Sequence, residues 1–142
     1  MPKLDPEAVD AFLAEARNAI ITAIRRDGRP AMTPNWFLWQ DGRFYVSTTK
    51  TRAKYRLFSN DPRVQLAVDD STGFRYVVVD GTVAIEEDVE ANLPYFKAVR
   101  AKHGRGGQSE DELREELVRE QRVLLVITPD KPPTEWLGMG LG

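Results

Sequence analysis

Ala19-Ile20-Ile21-Thr22-Ala23-Ile24 runs into Arg25-Arg26-Asp27-Gly28-Arg29. Pro30-Ala31-Met32-Thr33-Pro34-Asn35-Trp36-Phe37-Leu38-Trp39 follows and ends at Asp41-Gly42, and Arg43-Phe44-Tyr45-Val46-Ser47-Thr48 comes next. This stretch decides the fold. Its β-branched and aromatic residues suit a pleated, half-buried surface. Each Asp-Gly pair tolerates the positive φ of a tight hairpin turn. The pattern predicts three strands, 19–24, 30–39 and 43–48, joined as an antiparallel meander.

The chain on either side continues the theme. Before it, Asp5 is a good N-cap and Pro6 suits a first helical position. Val9, Phe12, Leu13 and Ala16 share one helical face, so a helix is expected from Pro6 to about Arg17. After it, a short helical connection from Thr51 to about Ser59 ends at Asn60-Asp61-Pro62. A fourth strand is expected over 64–68 and a long fifth over 75–85, interrupted at Asp80-Gly81 by a bulge or barrel corner. Residues 87–103 read as helical, with Pro94 breaking or restarting the helix. Ser109 and Glu112 form a capping box for a further helix to about Glu120. Val123-Leu124-Leu125-Val126-Ile127 is a sixth, fully apolar strand, and the tail from Pro129 shows no regular pattern. Six short-turned strands with helices at the edge predict a mainly β (α+β) fold, a six-stranded antiparallel barrel, closed or partly closed, in one domain spanning 1–142. A barrel of this size fills with its own side chains, so a sizeable ligand is expected outside it or at a subunit interface.

Composition narrows the chemistry. The chain has 142 residues, 42% of them hydrophobic and 30% charged, the profile of a folded domain rather than a disordered chain. It has no cysteine, which excludes disulfides, thiol nucleophiles and thiolate metal sites. A single histidine, His103, rules out a histidine-rich metal centre or a Ser-His-Asp triad within one chain. The net charge of −2 gives no overall attraction to nucleic acid or anionic lipid, and no apolar run approaches a membrane span. Met1 to Asp10 is too polar and acidic for a signal peptide, so a cytoplasmic protein is expected.

The charge is unevenly placed. Residues 43–63 carry six cations against Asp61 alone, a local excess of +5 in an acidic protein. Within that island, Ser47, Thr48, Thr49 and Thr51 alternate with Lys50, Arg52, Lys54 and Arg56 at a strand-to-helix junction. Such a junction offers oriented N–H groups, a fork of guanidinium donors and a point charge, which together suit a phosphate. A solvated basic helix face is the other reading. Thr33-Pro34-Asn35-Trp36 is the second candidate. Proline inside a strand demands an edge or bulge, where free backbone groups beside Asn35 and Trp36 suit a flat heteroaromatic ring. An aromatic strand packed in the core is the alternative. Glu86, Glu87, Asp88 and Glu90 compensate a helix start, His103 caps a helix end, and Trp136 is either a core plug or an interface anchor. No residue stands out as catalytic.

Several short motifs recur in a familiar order: Ala23-Ile24-Arg25-Arg26-Asp27-Gly28-Arg29-Pro30, Tyr45-Val46-Ser47, Arg52-Ala53-Lys54, Asp61-Pro62-Arg63-Val64, Tyr76 to Gly81, and Arg122-Val123-Leu124-Leu125. This set resembles the pyridoxamine-phosphate-oxidase-like split β-barrel family, in its F420-dependent oxidoreductase branch of actinobacterial type. The resemblance covers roughly residues 8–128 and implies an FMN-binding-like split barrel acting as a homodimer, with a flavin-type cofactor in each interfacial groove. It implies that Ser47, Thr48, Lys50, Arg52, Ala53 and Lys54 hold the cofactor phosphate. It also implies that Thr33, Pro34, Asn35 and Trp36 meet the ring and that Phe74 covers the site. The implied cofactor is the deazaflavin coenzyme F420, with FMN as the alternative. The implied activity is hydride transfer from the reduced cofactor to a small organic substrate, or else a cofactor-binding module without turnover. Phe74 and Trp136 are the expected interface aromatics, Arg56 and Arg75 the expected contacts of the deazaflavin's anionic tail. Residues 87–120 and 129–142, which match the family poorly, are where substrate choice is expected to lie.

Overall fold

A computed structural model of the chain describes residues 3–142. Met1 and Pro2, at the start of the polar amino-terminal stretch, lie outside the described residues. The elements run α1 (Pro6–Ala14), β1 (Asn18–Ile24), β2 (Pro30–Trp36), β3 (Leu38–Gln40), β4 (Arg43–Thr49), α2 (Ala53–Asn60) and β5 (Arg63–Asp69). They continue with β6 (Tyr76–Glu86), α3 (Val89–Lys102), α4 (Glu110–Arg119), β7 (Arg122–Pro129) and β8 (Leu137–Met139). Among the described residues the fold is mainly β with four helices, as expected, but it has eight strands rather than six. The tail supplies β8, and the 30–39 run is two strands.

That division changes the topology. One curled antiparallel sheet runs in the order β2-β1-β5-β6-β7-β4-β3, with β8 paired to β6. The expected meander is therefore incorrect: β2 pairs with β1 and β3 with β4, and the two lie at opposite ends of the sheet. Only Phe37 separates them in sequence. The sheet must curl until its two edges are one residue apart, joined by the covalent chain instead of a hydrogen-bonded ladder. Phe37 anchors the crossing because its side chain is fully buried against Phe44. Pro34 falls on the edge strand that its missing N–H requires.

The inner face holds the main core: Ile21, Leu66, Val68, Val77, Val79, Leu125 and Ile127 from the strands, with Phe12 and Leu13 of α1. Asp5 caps α1 through its carboxylate at 3.2 Å from the Ala8 N–H. Trp39 ties β3 to α1 by donating to Asp10 Oδ1 at 2.7 Å. Trp136 is the core plug and not an interface anchor: it is buried against Trp39 and Phe44, with Nε1 donating to the Lys131 carbonyl at 2.8 Å. Gly81 continues β6 without interruption. Its hydrogen faces the neighbouring strand so closely that a Cβ would stand 2.7 Å from the Thr128 carbonyl oxygen.

A second, smaller core lies outside the sheet. Helices α3 and α4 lay Leu93, Phe96, Val99, Leu113 and Leu117 over Tyr45 and Leu124. Tyr95 stacks on Tyr45 with centroids 4.3 Å apart. Pro94 does not break α3. It sits in the second turn on the exposed side, where a single lost backbone bond is outweighed by the apolar stripe of Leu93, Phe96 and Val99, which pins the helix on both sides of it.

The remaining outer face carries one apolar row among polar positions such as Gln65 and Asp80. The strand registers align Leu137, Val78, Ala67, Ile20 and Pro34 as one cross-strand row over five strands. Met32 (63% exposed), Trp36, Leu137 and Met139 project around it. No helix among the described residues is long and apolar enough to cross a membrane.

Candidate functional site

A cleft of about 620 Å³ opens where β2, the end of β4, the start of β7 and the α3–α4 hairpin meet. Pro34, Asn35 and Trp36 line it from β2, Ser47 from β4, and Arg52 from the start of α2. The ring-type strand and the basic island, separate signals in the sequence, thus converge on one concavity. Its size lies within the range of small-molecule and cofactor sites.

The two halves are also bonded to each other. Lys54 reaches from α2 to donate to Thr33 Oγ1 at 3.1 Å, and Asn35 Nδ2 donates to the same hydroxyl at 3.1 Å and to the Thr33 carbonyl at 2.8 Å. Thr33 is thereby the junction between β2 and α2. Lys54 is only 8% exposed. Burial, and secondarily the Arg52 guanidinium, push its ammonium below the usual lysine range. A cation held in this way favours an anionic ligand that restores its charge. Arg52 stands at the N-cap of α2, where a guanidinium, having no acceptor, cannot cap the helix, and it lines the cleft.

The other expected site residues are placed differently. Thr48 lies on the opposite face of β4 from Ser47, buried against the core with its hydroxyl unpartnered. Lys50 is exposed and paired with Glu87 at 2.8 Å, which raises its pKa. Ala53 opens α2 without lining the cleft, and Thr33 and Lys54 are not among its lining residues either. Phe74 is 72% exposed in the β5–β6 turn. Arg75 is engaged with Asp70 at 2.8 Å, whereas Arg56 lines a separate depression with Arg25 and Arg26.

Half of the cleft was not visible in the sequence. Val99 and Arg100 come from α3, Arg105, Gly107 and Gln108 from the loop after it, Glu116 from α4, and Arg122 from β7. Arg100 donates to Glu116 Oε2 at 2.7 Å and to Gln108 Oε1 at 2.8 Å, and Gln108 Nε2 closes the triangle on Glu116 at 2.6 Å. Hydrogen bonds from Gln108 and Arg100 hold the Glu116 carboxyl below its usual pKa. Arg122 reaches Ser47 Oγ at 3.4 Å while paired with Glu120. The only signals in the sequence were an arginine inside the glycine-rich 104–108 loop and the Arg122 that opens a motif. Nothing in the spacing said that α3 and α4 fold back over β4. Among the described residues no group of three or more His, Asp or Glu side chains is placed to hold a metal ion.

Comparison with known proteins gives the same frame. The model of the Pyridoxamine 5'-phosphate oxidase family matches residues 5–132. Among solved structures, an F420 reductase is 24% identical, with 86% of this chain and 93% of that one aligned at a TM-score of 0.71. A conserved hypothetical protein of Mycobacterium tuberculosis is 22% identical, covering 90% of this chain and 82% of its own at a TM-score of 0.79. The haem storage protein HutZ of Vibrio cholerae is 18% identical over 99% and 97% of the two chains, at a TM-score of 0.74. At these identities the likeness is one of fold, and the two names that state a function differ in it.

Proposed function

We propose that this chain, which belongs to the pyridoxamine 5'-phosphate oxidase family, is an oxidoreductase that takes reduced coenzyme F420 in the cleft and acts on a small organic substrate. The observation that carries the reading is the convergence of Pro34, Asn35 and Trp36 with Ser47 and Arg52 on one cleft. The residues present fit a phosphorylated flavin-type group. Arg52 supplies positive charge on the lining, and Lys54, buried and bonded to Thr33 next to lining residue Pro34, adds a second cation beside it. Trp36 and the free edge of β2 supply an aromatic wall with open backbone groups. When bound, the reduced deazaflavin supplies a hydride.

The chain's own contribution is binding, orientation and exclusion of water. Arg52 and Lys54 hold the phosphate through charge-assisted hydrogen bonds, with Ser47 beside them. Thr33 keeps Lys54 and Asn35 in register, so that the ring-facing amide and the phosphate-facing ammonium move as one unit. Trp36 and the α3–α4 hairpin shield the reacting face. The Arg100–Gln108–Glu116 triangle fixes the hairpin against the loop that would meet the substrate.

The active species in this proposal is a homodimer. The apolar row from Leu137 to Pro34, with Met32, Trp36 and Met139 around it, is a large exposed patch of the kind that marks an interface. It adjoins the cleft through Trp36, so a second subunit on this face adds a wall to the cofactor site.

Parallel equilibrium titration of the purified protein with F420, FMN and FAD, at low and high salt, tests the assignment. F420 carries an anionic tail that FMN lacks, so its binding is expected to be the tighter and to fall more steeply with salt. Tighter FMN binding under both conditions, or FMN retained through purification, assigns the same cleft to FMN. A haem role is disfavoured by the sole histidine, whose imidazole is stacked on Trp36 and bonded through Nε2 to the Phe37 backbone.

A further inference from the structure

We propose that His103 is a positioning residue for the cleft: it fixes the Trp36 indole as a wall of the site. Trp36 is the last residue of β2, an edge strand, and it remains 41% exposed. A large ring in such a place has few neighbours to set its rotamer, and cofactor sites need their walls fixed in advance. The imidazole of His103 lies flat on the indole, with centroids 4.9 Å apart and planes 6° from parallel. The imidazole is itself held. Its Nε2 is 3.4 Å from the Phe37 N–H nitrogen and 3.3 Å from the Phe37 carbonyl oxygen, so either neutral tautomer finds a partner on the backbone of the same residue.

The residue before it acts on the same crossing. Lys102 Nζ donates to the Leu13 carbonyl at 2.7 Å and sits 3.7 Å above the Phe37 ring. The last turn of α3 therefore clamps α1, Phe37 and Trp36 together at the one residue that separates the two sheet edges. The stack reaches across 67 positions of sequence (103 against 36), and the helix that presents His103 also presents Val99 and Arg100 to the cleft. A helix-capping histidine needs none of these partners, since its backbone N–H already closes the turn on Arg100 and Ala101 carbonyls.

Burial is the main influence on the imidazole and pushes its pKa below the usual histidine value. The Phe37 backbone opposes this shift, and Lys102 adds to it. Lys102 is the charged neighbour, and the imidazole meets the Trp36 ring and the Phe37 N–H and carbonyl. At neutral pH the stack is thus between two neutral rings. Acidification places a cation on the indole face, a change that the indole's own resonance reports.

The inference rests on the cleft being the ligand site, and the test separates the two. Protein carrying 5-fluorotryptophan gives resonances for Trp36, Trp39 and Trp136, with Trp36 assigned through Trp36→Phe. The Trp36 resonance is expected to shift in a single transition below pH 6.5, the ordinary histidine value, while Trp136, whose indole is bonded to a backbone carbonyl, stays flat, and His103→Phe is expected to abolish that transition. In titrations with F420 and FMN, His103→Ala is expected to weaken whichever binds more tightly by about three- to tenfold, the scale of an aromatic pair. His103→Phe, a flat ring that cannot titrate, is expected to restore affinity to within about twofold. A Trp36 resonance that ignores the histidine titration overturns the proposal. So does a folded His103→Ala protein that binds like wild type. If neither cofactor binds the wild type, the functional assignment falls and the fluorine titration alone decides the role of His103.

Discussion

The ammonium of Lys54 donates to the hydroxyl of Thr33 across 3.1 Å, from the first turn of α2 to the middle of β2. This contact joins a basic island to a ring-type strand 21 residues earlier. It leaves a buried ammonium without a carboxylate partner, since its depressed pKa is set by burial and by the like charge of Arg52. Buried charge of this kind costs stability in the free protein and is offset when an anion arrives.

Lys54→Met should therefore separate stability from binding. The folded state no longer carries a desolvated cation, so the melting temperature of the free protein rises by about 2–4 °C, equivalent to about 1 kcal/mol at this chain length. Affinity for the phosphorylated cofactor falls at least tenfold. Calorimetric melting and an equilibrium titration on the same preparation check both signs. A melting point that drops while affinity holds would contradict the role given to Lys54.

Arg52→Ala is expected to behave differently, because this side chain makes no cap bond to α2. Cofactor affinity should fall by about 1.5–3 kcal/mol, the scale of a charge-assisted hydrogen bond, while stability stays within about 0.5 kcal/mol of wild type. The measurement is titration with the cofactor beside urea unfolding.

The homodimer proposed above predicts that Met32→Lys, on the exposed apolar face, converts the species seen by sedimentation at micromolar concentration from dimer to monomer. The neighbouring outer residue Thr22, paired with Met32 across β1 and β2, offers no acid to neutralise the new charge. Cofactor affinity should fall together with dimerisation if the second subunit completes the site. A wild-type protein that sediments as a monomer and still binds cofactor tightly would sink this reading.

Gly81→Ala is expected to destabilise the sheet by about 1–3 kcal/mol, as overpacking does. The obstacle is the Thr128 carbonyl of the paired strand, 2.7 Å from the new methyl carbon, and a backbone group cannot rotate away as a side-chain tip would. Chemical denaturation of the variant measures the loss.

Asp70 supplies a pH test. Its carboxylate accepts from Thr72 Oγ1 at 2.6 Å, from the N–H groups of Thr72 and Gly73 at 3.0 and 3.1 Å, and from Arg75 Nε at 2.8 Å. These bonds hold it well below the usual carboxylate range. The folded pKa lies below the unfolded one, so the stabilisation is fully present above about pH 4 and is lost as the pH falls towards the folded value. The stability gap between wild type and Asp70→Asn, measured by urea unfolding, should be widest near neutrality and close steadily below about pH 4. A gap independent of pH would remove the charge from the explanation of this turn.

Local chemistry was legible in the sequence wherever neighbours in the chain settle it. Asp5 and Ser109 cap α1 and α4 as read, and the Asp41-Gly42 pair turns with positive φ at both residues. The alternation of strands β1, β5 and β6, the shortage of metal ligands and the order of family motifs needed only residue types and spacing. One side of the candidate cleft was visible too, as a basic junction and a proline-bearing aromatic strand, although nothing in the sequence said that the two touch.

Tertiary structure decided what depends on which distant surfaces meet. An aromatic-bearing run such as 30–39 reads as one strand because no turn signal interrupts it before Asp41-Gly42. It becomes two because burying Phe37 lets the chain leave one sheet edge and join the other, a gain available only once the sheet has curled. Pro94 reads as a break because its missing N–H is a local fact, while the apolar stripe that overrides it acts against Tyr45 and Leu124, far away in sequence. The same holds for the cleft: Ser47 and Arg52 were chosen locally, but Arg100 and Glu116 reach it only because α3 and α4 bury their leucines on the outer face of β4 and β7, and Arg122 because β7 pairs with β4. Residue types and spacing set the elements and the family of this protein. The burial of apolar area between elements remote in sequence set where its strands divide, which charges face the cleft, and which ring stands at its wall.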